Sequence, residues 1–142
     1  MVFIGGAEAS LRAIGRPWHA DRWPGEGPLG GVISALEALG QDCVVAACDL
    51  VDLDGASVAA LADAASDDVD AVVARTDRIE PMLTWWRQGA AGPLTAQFES
   101  GVRALHDALD SLRVVEVAVD PALMRNVNCV EDLPATHFGR GG

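Results

Sequence analysis

Residues 43–48 read CVVAAC, an unbroken apolar run that stops on Asp49. The run is far shorter than the roughly 20 residues a membrane-spanning helix needs. It has the form of a strand buried on both faces, which occurs where helices cover both sides of a largely parallel sheet. The rest of the chain supplies the alternation such a sheet requires. Short β-like runs fall at 2–4 (VFI), 69–74 (VDAVVA) and 114–119 (VVEVAV), and 16–23 reads as extended; 80–87 (EPMLTWWR) fits strand or helix and is read as strand on its aromatic content. Between them lie helical stretches. One is short, at 7–14. The best one opens on Pro28, whose missing N–H costs nothing in a first turn. It carries Leu29, Val32, Ile33, Leu36 and Leu39 on one face and stops at Gly40. A third helix is capped by Asp54 and carries Val58, Leu61 and Ala65. A fourth region starts at Pro93, is broken by Gly101 and ends near Leu112. A short helix is expected from Val130.

With 142 residues, half of them hydrophobic, the chain makes one domain with a real core. We place that domain at 1–135 and a flexible tail at 136–142. Ten basic residues, all arginine, face 21 acidic ones for a net charge of −11. That balance argues against nucleic-acid binding by a basic face and against an anionic membrane surface. The opening MVFIGGAEASLR has no basic region and too short an apolar stretch for a signal peptide. Cys43, Cys48 and Cys129 are odd in number and lack a C-x-x-C pair, so they read as reduced thiols of a cytoplasmic protein. His19, His106 and His137 are scattered, and no nucleophile–His arrangement can be assembled.

In open α/β sheets ligands bind beyond the carboxyl ends of the strands, and three features fall there. Asp49 follows the most apolar strand; a carboxylate in that place suits Mg²⁺ or caps a loop. Asp52 and Asp54 read as a loop charge and the helix cap. The stretch PGEGPLGG (24–31) leads glycine backbone into a helix start, a setting that favours an anion or is simply a turn. Asn126 and Asn128 come after the last strand, each with donor and acceptor, as a ligand pair or as turn residues. Trp85 and Trp86 face opposite sides of a strand. One is expected in the core, and the other is a candidate for stacking on a flat ligand.

Together and in this order, these features resemble the molybdenum cofactor guanylyltransferases, the MobA-like nucleotidyltransferases. The matching stretches are GPLGGVISALEAL (27–39), VVAACDLVDL (44–53), EPMLTWWR (80–87) and NVNCVEDL (126–133). Cys129 and Val130 stand where the family has Thr and Pro, and Val51 stands where it has Pro. The resemblance implies a Rossmann-like α/β fold of the nucleotide-diphospho-sugar transferase type, with a mixed, mostly parallel sheet flanked by helices. It implies transfer of GMP from GTP to molybdopterin with Mg²⁺. Asp49 matches the metal and nucleotide carboxylate. Asp21, Gly5 and Gly6 fall near nucleotide-contacting positions. Gly27, Pro28, Leu29 and Gly30 match the loop beside the nucleotide, and Asn126 and Asn128 the Asn pair near the phosphates and pterin.

By the same resemblance the sequence starts at the family's second strand, without the first strand and its glycine-rich L-A-G-G-x-S-x-R-M-G-x-D-K loop. An N-terminally truncated sheet is therefore expected, with a gap between strand 2–4 and strand 43–48. Direct closure of that gap, pairing with another copy or a partner chain, or marginal stability should follow. Little or no transferase activity is expected of the 142 residues alone. Two other readings remain at this stage: a non-catalytic interaction module of the same fold, and a related cytidylyl or other nucleotidyl transferase.

Overall fold

The computed structural model describes residues 1–13 and 15–125. Asn126, Asn128, Cys129, His137, the helix expected from Val130 and the tail at 136–142 lie outside the described residues. The elements run β1 (Phe3–Ile4), α1 (Glu8–Ala13), β2 (Trp18–His19), α2 (Pro28–Leu39), β3 (Cys43–Ala46), α3 (Gly55–Asp63), β4 (Ala71–Arg75), β5 (Ile79–Trp86), α4 (Ala91–Glu99), α5 (Leu105–Leu109) and β6 (Val114–Ala118). Single 3₁₀ turns at Gln88–Ala90 and Pro121–Met124 precede α4 and follow β6.

The strands form two sheets. One has the order β3-β5-β4-β6; the other is the parallel pair β1-β2. β5 runs antiparallel to both β3 and β4, and β6 is parallel to β4. Hence β3, β4 and β6 share one direction and β5 alone opposes them: the sheet is mixed, as the sequence predicts, but because β5 sits between β3 and β4, two of its three ladders are antiparallel and only β4–β6 is parallel.

Side-chain alternation along β4 sorts the core into two layers. Ala71 and Val73 join Trp86 under α2, α4 and α5, where Leu29, Ile33, Leu36, Leu94, Phe98 and Leu109 pack. Val72 and Ala74 join Leu83 and Trp85 under α3, which contributes Leu61. Both tryptophans are therefore core residues, one on each face. The expectation that one of them is left for a flat ligand is corrected: the sheet is helix-covered on both sides, so facing opposite ways buries both.

α2 is built as its sequence predicts. Pro28 sits in its first turn, and Gly40 ends it in the left-handed conformation, donating to the Leu36 carbonyl at 3.0 Å. The Asp54 carboxylate caps α3 by accepting from the Ser57 amide at 2.8 Å.

The run at 43–48 departs from expectation. β3 covers only Cys43–Ala46, and all four residues are half-buried, not buried on both faces. The reason is position: β3 pairs with β5 on one side and is the edge of its sheet. β1 likewise pairs only with β2. Among the described residues the gap expected between these strands is not closed by direct pairing, and α2 packs against both β1 and β3. No helix among the described residues is long and apolar enough to cross a membrane.

Candidate functional site

Two cavities lie at the carboxyl ends of the strands, one for each sheet. The first, of about 340 Å³, is walled by Ile4, Gly5, Gly6, Trp18, Asp21 and Gly25. Gly5, Gly6 and Gly25 all have positive φ (69°, 80° and 77°), which a side chain would strain. At Gly5 a Cβ would also come within 3.1 Å of the Asp21 Cβ. The Gly5 amide donates to the His19 carbonyl at 2.8 Å, and its carbonyl accepts from Trp18 Nε1 at 2.7 Å. Asp21 Oδ1 accepts from the Trp23 amide at 2.9 Å and from Ser34 Oγ at 3.2 Å. The structure thus brings Gly5, Gly6 and Asp21 together in one wall.

Gly27, Pro28, Leu29 and Gly30 are not part of that wall. Gly27 is the N-cap of α2 and offers no side-chain acceptor to the helix. The Leu29 side chain is fully buried, so only its backbone could meet a ligand. Gly30 is small for a packing reason: a Cβ there would come within 3.3 Å of Trp23 and 3.6 Å of Phe98.

The second cavity, of about 300 Å³, is lined by Ala47, Asp49, Leu50, Arg78, Glu80, Met82 and Met124. It opens where β3 ends and β5 begins, because β5 is antiparallel. Asp49 supplies the notable group: its Oδ1 is buried and accepts no hydrogen bond among the described residues. A buried carboxylate oxygen left without a donor costs about 1–3 kcal/mol or more, and such groups persist where something else satisfies them. Asp49 and Glu80 give the cavity two carboxylates against the one guanidinium of Arg78, a local excess of negative charge suited to a small divalent cation. Among the described residues no cluster of three or more His, Cys, Asp or Glu side chains is placed to hold a metal. Mg²⁺ does not need one, since it takes one or two carboxylates and completes its shell with phosphate and water oxygens.

Sequence reasoning found Asp49 but missed Arg78, Glu80 and Met82, which a strand irregularity delivers. Val73 pairs with Thr84 and the next residue, Ala74, with Glu80, so Pro81, Met82 and Leu83 leave the β4 ladder. Proline has no amide for that ladder and is confined to such bulges and edges; here Thr84 Oγ1 donates to the Pro81 carbonyl at 2.9 Å. Bulges re-aim neighbouring side chains, and a proline in the second position of an otherwise strand-like run was the signal available. The cysteines stand apart from this chemistry. Burial, then the nearby Asp42 carboxylate, pushes the Cys43 thiol above its ordinary range, and Cys48 is exposed.

Residues 1–117 match the family model described as the MobA-like NTP transferase domain. A probable molybdenum cofactor guanylyltransferase of Chloroflexus aggregans is 32% identical over 126 residues, 80% of this chain and 61% of that protein. The chain therefore spans about three-fifths of the curated relative it matches. Among solved structures, a molybdopterin-guanine dinucleotide biosynthesis protein A of Archaeoglobus fulgidus superposes with a TM-score of 0.76 at 24% identity, over 92% of this chain and 73% of that one. A putative protein of Aquifex aeolicus superposes with a TM-score of 0.79 at 15% identity, over 90% and 70%. At these identities the two structures speak for the fold.

Proposed function

Because this chain belongs to the MobA-like NTP transferase family, we propose that its site serves transfer of a guanylyl group from GTP to molybdopterin in molybdenum cofactor biosynthesis. The observation that carries this reading is the buried, unpartnered Oδ1 of Asp49 in a cavity at the carboxyl end of β3. In the reaction a phosphate oxygen of the acceptor bonds to the α-phosphorus of GTP. The α–β bridging P–O bond breaks, and pyrophosphate carries away the negative charge. The protein's task is to position the partners and neutralise charge, without a covalent intermediate.

Asp49 would hold Mg²⁺, which when bound supplies charge neutralisation on the phosphates. Gly5, Gly6 and Asp21 wall the cavity assigned to the nucleotide. Asn126 and Asn128 are assigned to the phosphates and pterin from the NVN stretch alone. The soluble, cytoplasmic setting of cofactor synthesis belongs to the same proposal.

The test is Mg²⁺-dependent nucleotide binding, read by thermal shift with GTP against CTP. Mg·GTP is expected to raise Tm more than Mg·CTP, and Asp49→Ala to remove the Mg²⁺ dependence. The same variant should leave the apo Tm unchanged or higher, because it deletes an unsatisfied buried oxygen. Equal shifts by the two nucleotides would shift the reading to a related nucleotidyl transferase. A wild-type chain that binds neither would sink it.

A second reading has its own observation. β1 and β3 each present an edge with no partner strand among the described residues, and such edges recruit extended segments. A non-catalytic module pairing these edges with a second copy or a partner chain would show no Mg²⁺-dependent nucleotide binding. Its mass by light scattering would rise with concentration.

A further inference from the structure

We propose that Arg78 is the anion-binding residue of the Asp49 cavity and that it takes the phosphate monoester of the acceptor, not the nucleotide. The proposal rests on reading that cavity as a phosphoryl-transfer site.

The argument begins with scarcity. The sequence contains no lysine and carries a net charge of −11, so a polyanionic substrate must be met by arginine. Most of the described arginines are already committed. Arg22 pairs with Glu37 at 2.9 Å, Arg75 with Glu116 at 2.7 Å, Arg103 with Glu26 at 3.1 Å, Arg113 with Asp70 at 2.8 Å and Arg125 with Asp52 at 2.9 Å. Arg87 donates to the Val69 carbonyl at 2.7 Å. Two arginines differ. Arg16 has no ion pair among the described residues but lines neither cavity. Among the described residues the one ion pair of Arg78 is a long 3.5 Å contact from Nε to Glu80 Oε1, and its side chain is 78% exposed. Its two terminal nitrogens make no hydrogen bond to a carboxylate of the described residues. It is also the one arginine lining the Asp49 cavity.

The mounting is firm where the guanidinium is not. Arg78 closes the three-residue turn between β4 and β5, where the Thr76 amide donates to the Arg78 carbonyl at 2.8 Å. Thr76 Oγ1 donates to Glu80 Oε1 at 2.7 Å, so the carboxylate beside Arg78 is itself held in place. A guanidinium on a fixed turn, weakly paired and facing a cavity, is suited to bidentate capture of a phosphate.

Strand order decides which phosphate. The glycine-walled cavity belongs to β1 and β2, Asp49 follows the edge strand β3, and Arg78 lies beyond β5 at the end of β4. In-line transfer puts acceptor and leaving group on opposite sides of the phosphorus. With the pyrophosphate leaving group on the β1 side, the attacking acceptor oxygen comes in from the opposite side, over β5.

The probe is inorganic phosphate, standing for the monoester group, titrated into the 142-residue chain by NMR, with Mg·GTP titrated separately. Phosphate is expected to move the resonances of Thr76, Arg78, Glu80 and Asp49. Arg78→Ala should weaken phosphate binding about tenfold or more, the scale of a lost charge-assisted contact, and Arg78→Lys should restore part of it. Mg·GTP affinity should change less than about twofold in both variants, within the spread of an uninvolved surface site. Arg78 is exposed, so folding is not at risk, and unchanged far-UV circular dichroism confirms it. The proposal is overturned by phosphate binding that Arg78→Ala leaves intact, by absence of saturable phosphate binding, or by an equal loss of Mg·GTP binding. If wild type binds phosphate through Arg78 but does not bind Mg·GTP, the guanylyl-transfer reading fails while the anion site stands.

Discussion

The two sheets of this protein are held together by different physics. In the four-stranded sheet, Ala71, Val72, Val73 and Ala74 of β4 have no exposure at all, and helices cover both faces. In the two-stranded sheet none of the four strand residues is buried, and α1 beside it buries none either. What fixes that region is a short set of directional contacts to α2 and one aromatic anchor. The Arg22 amide donates to Ser34 Oγ at 2.9 Å, Arg22 pairs with Glu37, and the Trp23 ring lies 4.6 Å from that of Phe98. A two-stranded ribbon is marginal by itself in water. The larger sheet can carry the fold by area burial, and the smaller one is borrowed stability. The glycine-walled cavity thus sits on the less stable part, which is where ligand-responsive segments are drawn from.

The largest effect should come from Trp86→Ala. This residue is fully buried among Leu29, Ile33, Val73 and Leu94. Truncation should cost about 3–5 kcal/mol in urea unfolding and accelerate amide exchange across both sheets together. Trp23→Ala probes the other side of the comparison. Trp23 is half-buried, carries the Arg22 guanidinium 4.4 Å above its ring and covers Gly30. Its loss should cost about 1–3 kcal/mol, with exchange rising at Phe3–Ile4 and Trp18–His19 while β4 and β5 stay protected. If Trp23→Ala opened both sheets equally, the division drawn above would be wrong.

How far the sequence could be read follows the same division. Elements whose pattern matches their own burial were legible: α2 from its apolar spacing with Pro28 and Gly40, α3 from the Asp54 cap, β5 from its aromatics. β3 was misjudged because an apolar run reports what a strand can tolerate, and burial depends on the neighbours it has. The tryptophan pair was misjudged for the opposite reason, since alternation sends Trp85 and Trp86 to opposite faces and helices cover both. At the site, Asp49 was legible as the residue that ends an apolar strand. Arg78 and Glu80 lie about 30 positions further on and reach Asp49 only because β5 runs backwards and bulges at Pro81. No local pattern encodes that meeting.

The smallest effect sharpens the comparison by placing a polar latch inside the strong sheet. Asp70 stands just before β4 and accepts from the Arg113 amide at 3.0 Å, from Nε at 3.1 Å and from Nη2 at 2.8 Å, tying β4 to the mostly exposed edge strand β6. Hydrogen bonding from the Arg113 side chain, more than any other cause, holds the Asp70 carboxyl below its ordinary range. A carboxylate whose folded-state pKa is depressed stabilises the fold above its unfolded value, about 3.9, and that contribution drains away as pH falls through the folded value. Asp70→Asn should therefore flatten the acid limb of the stability curve below about pH 4 and leave its shape near neutrality unchanged. The pair is largely solvent-screened, so the loss at pH 7 should be under about 1 kcal/mol. The sheet it spans is already secured by the buried residues of β4, whereas the N-terminal pair has little besides its latches. A loss at Asp70 as large as that at Trp23 would mean that β6, too, is held by its polar contacts, and that the strong part of the sheet ends at β4.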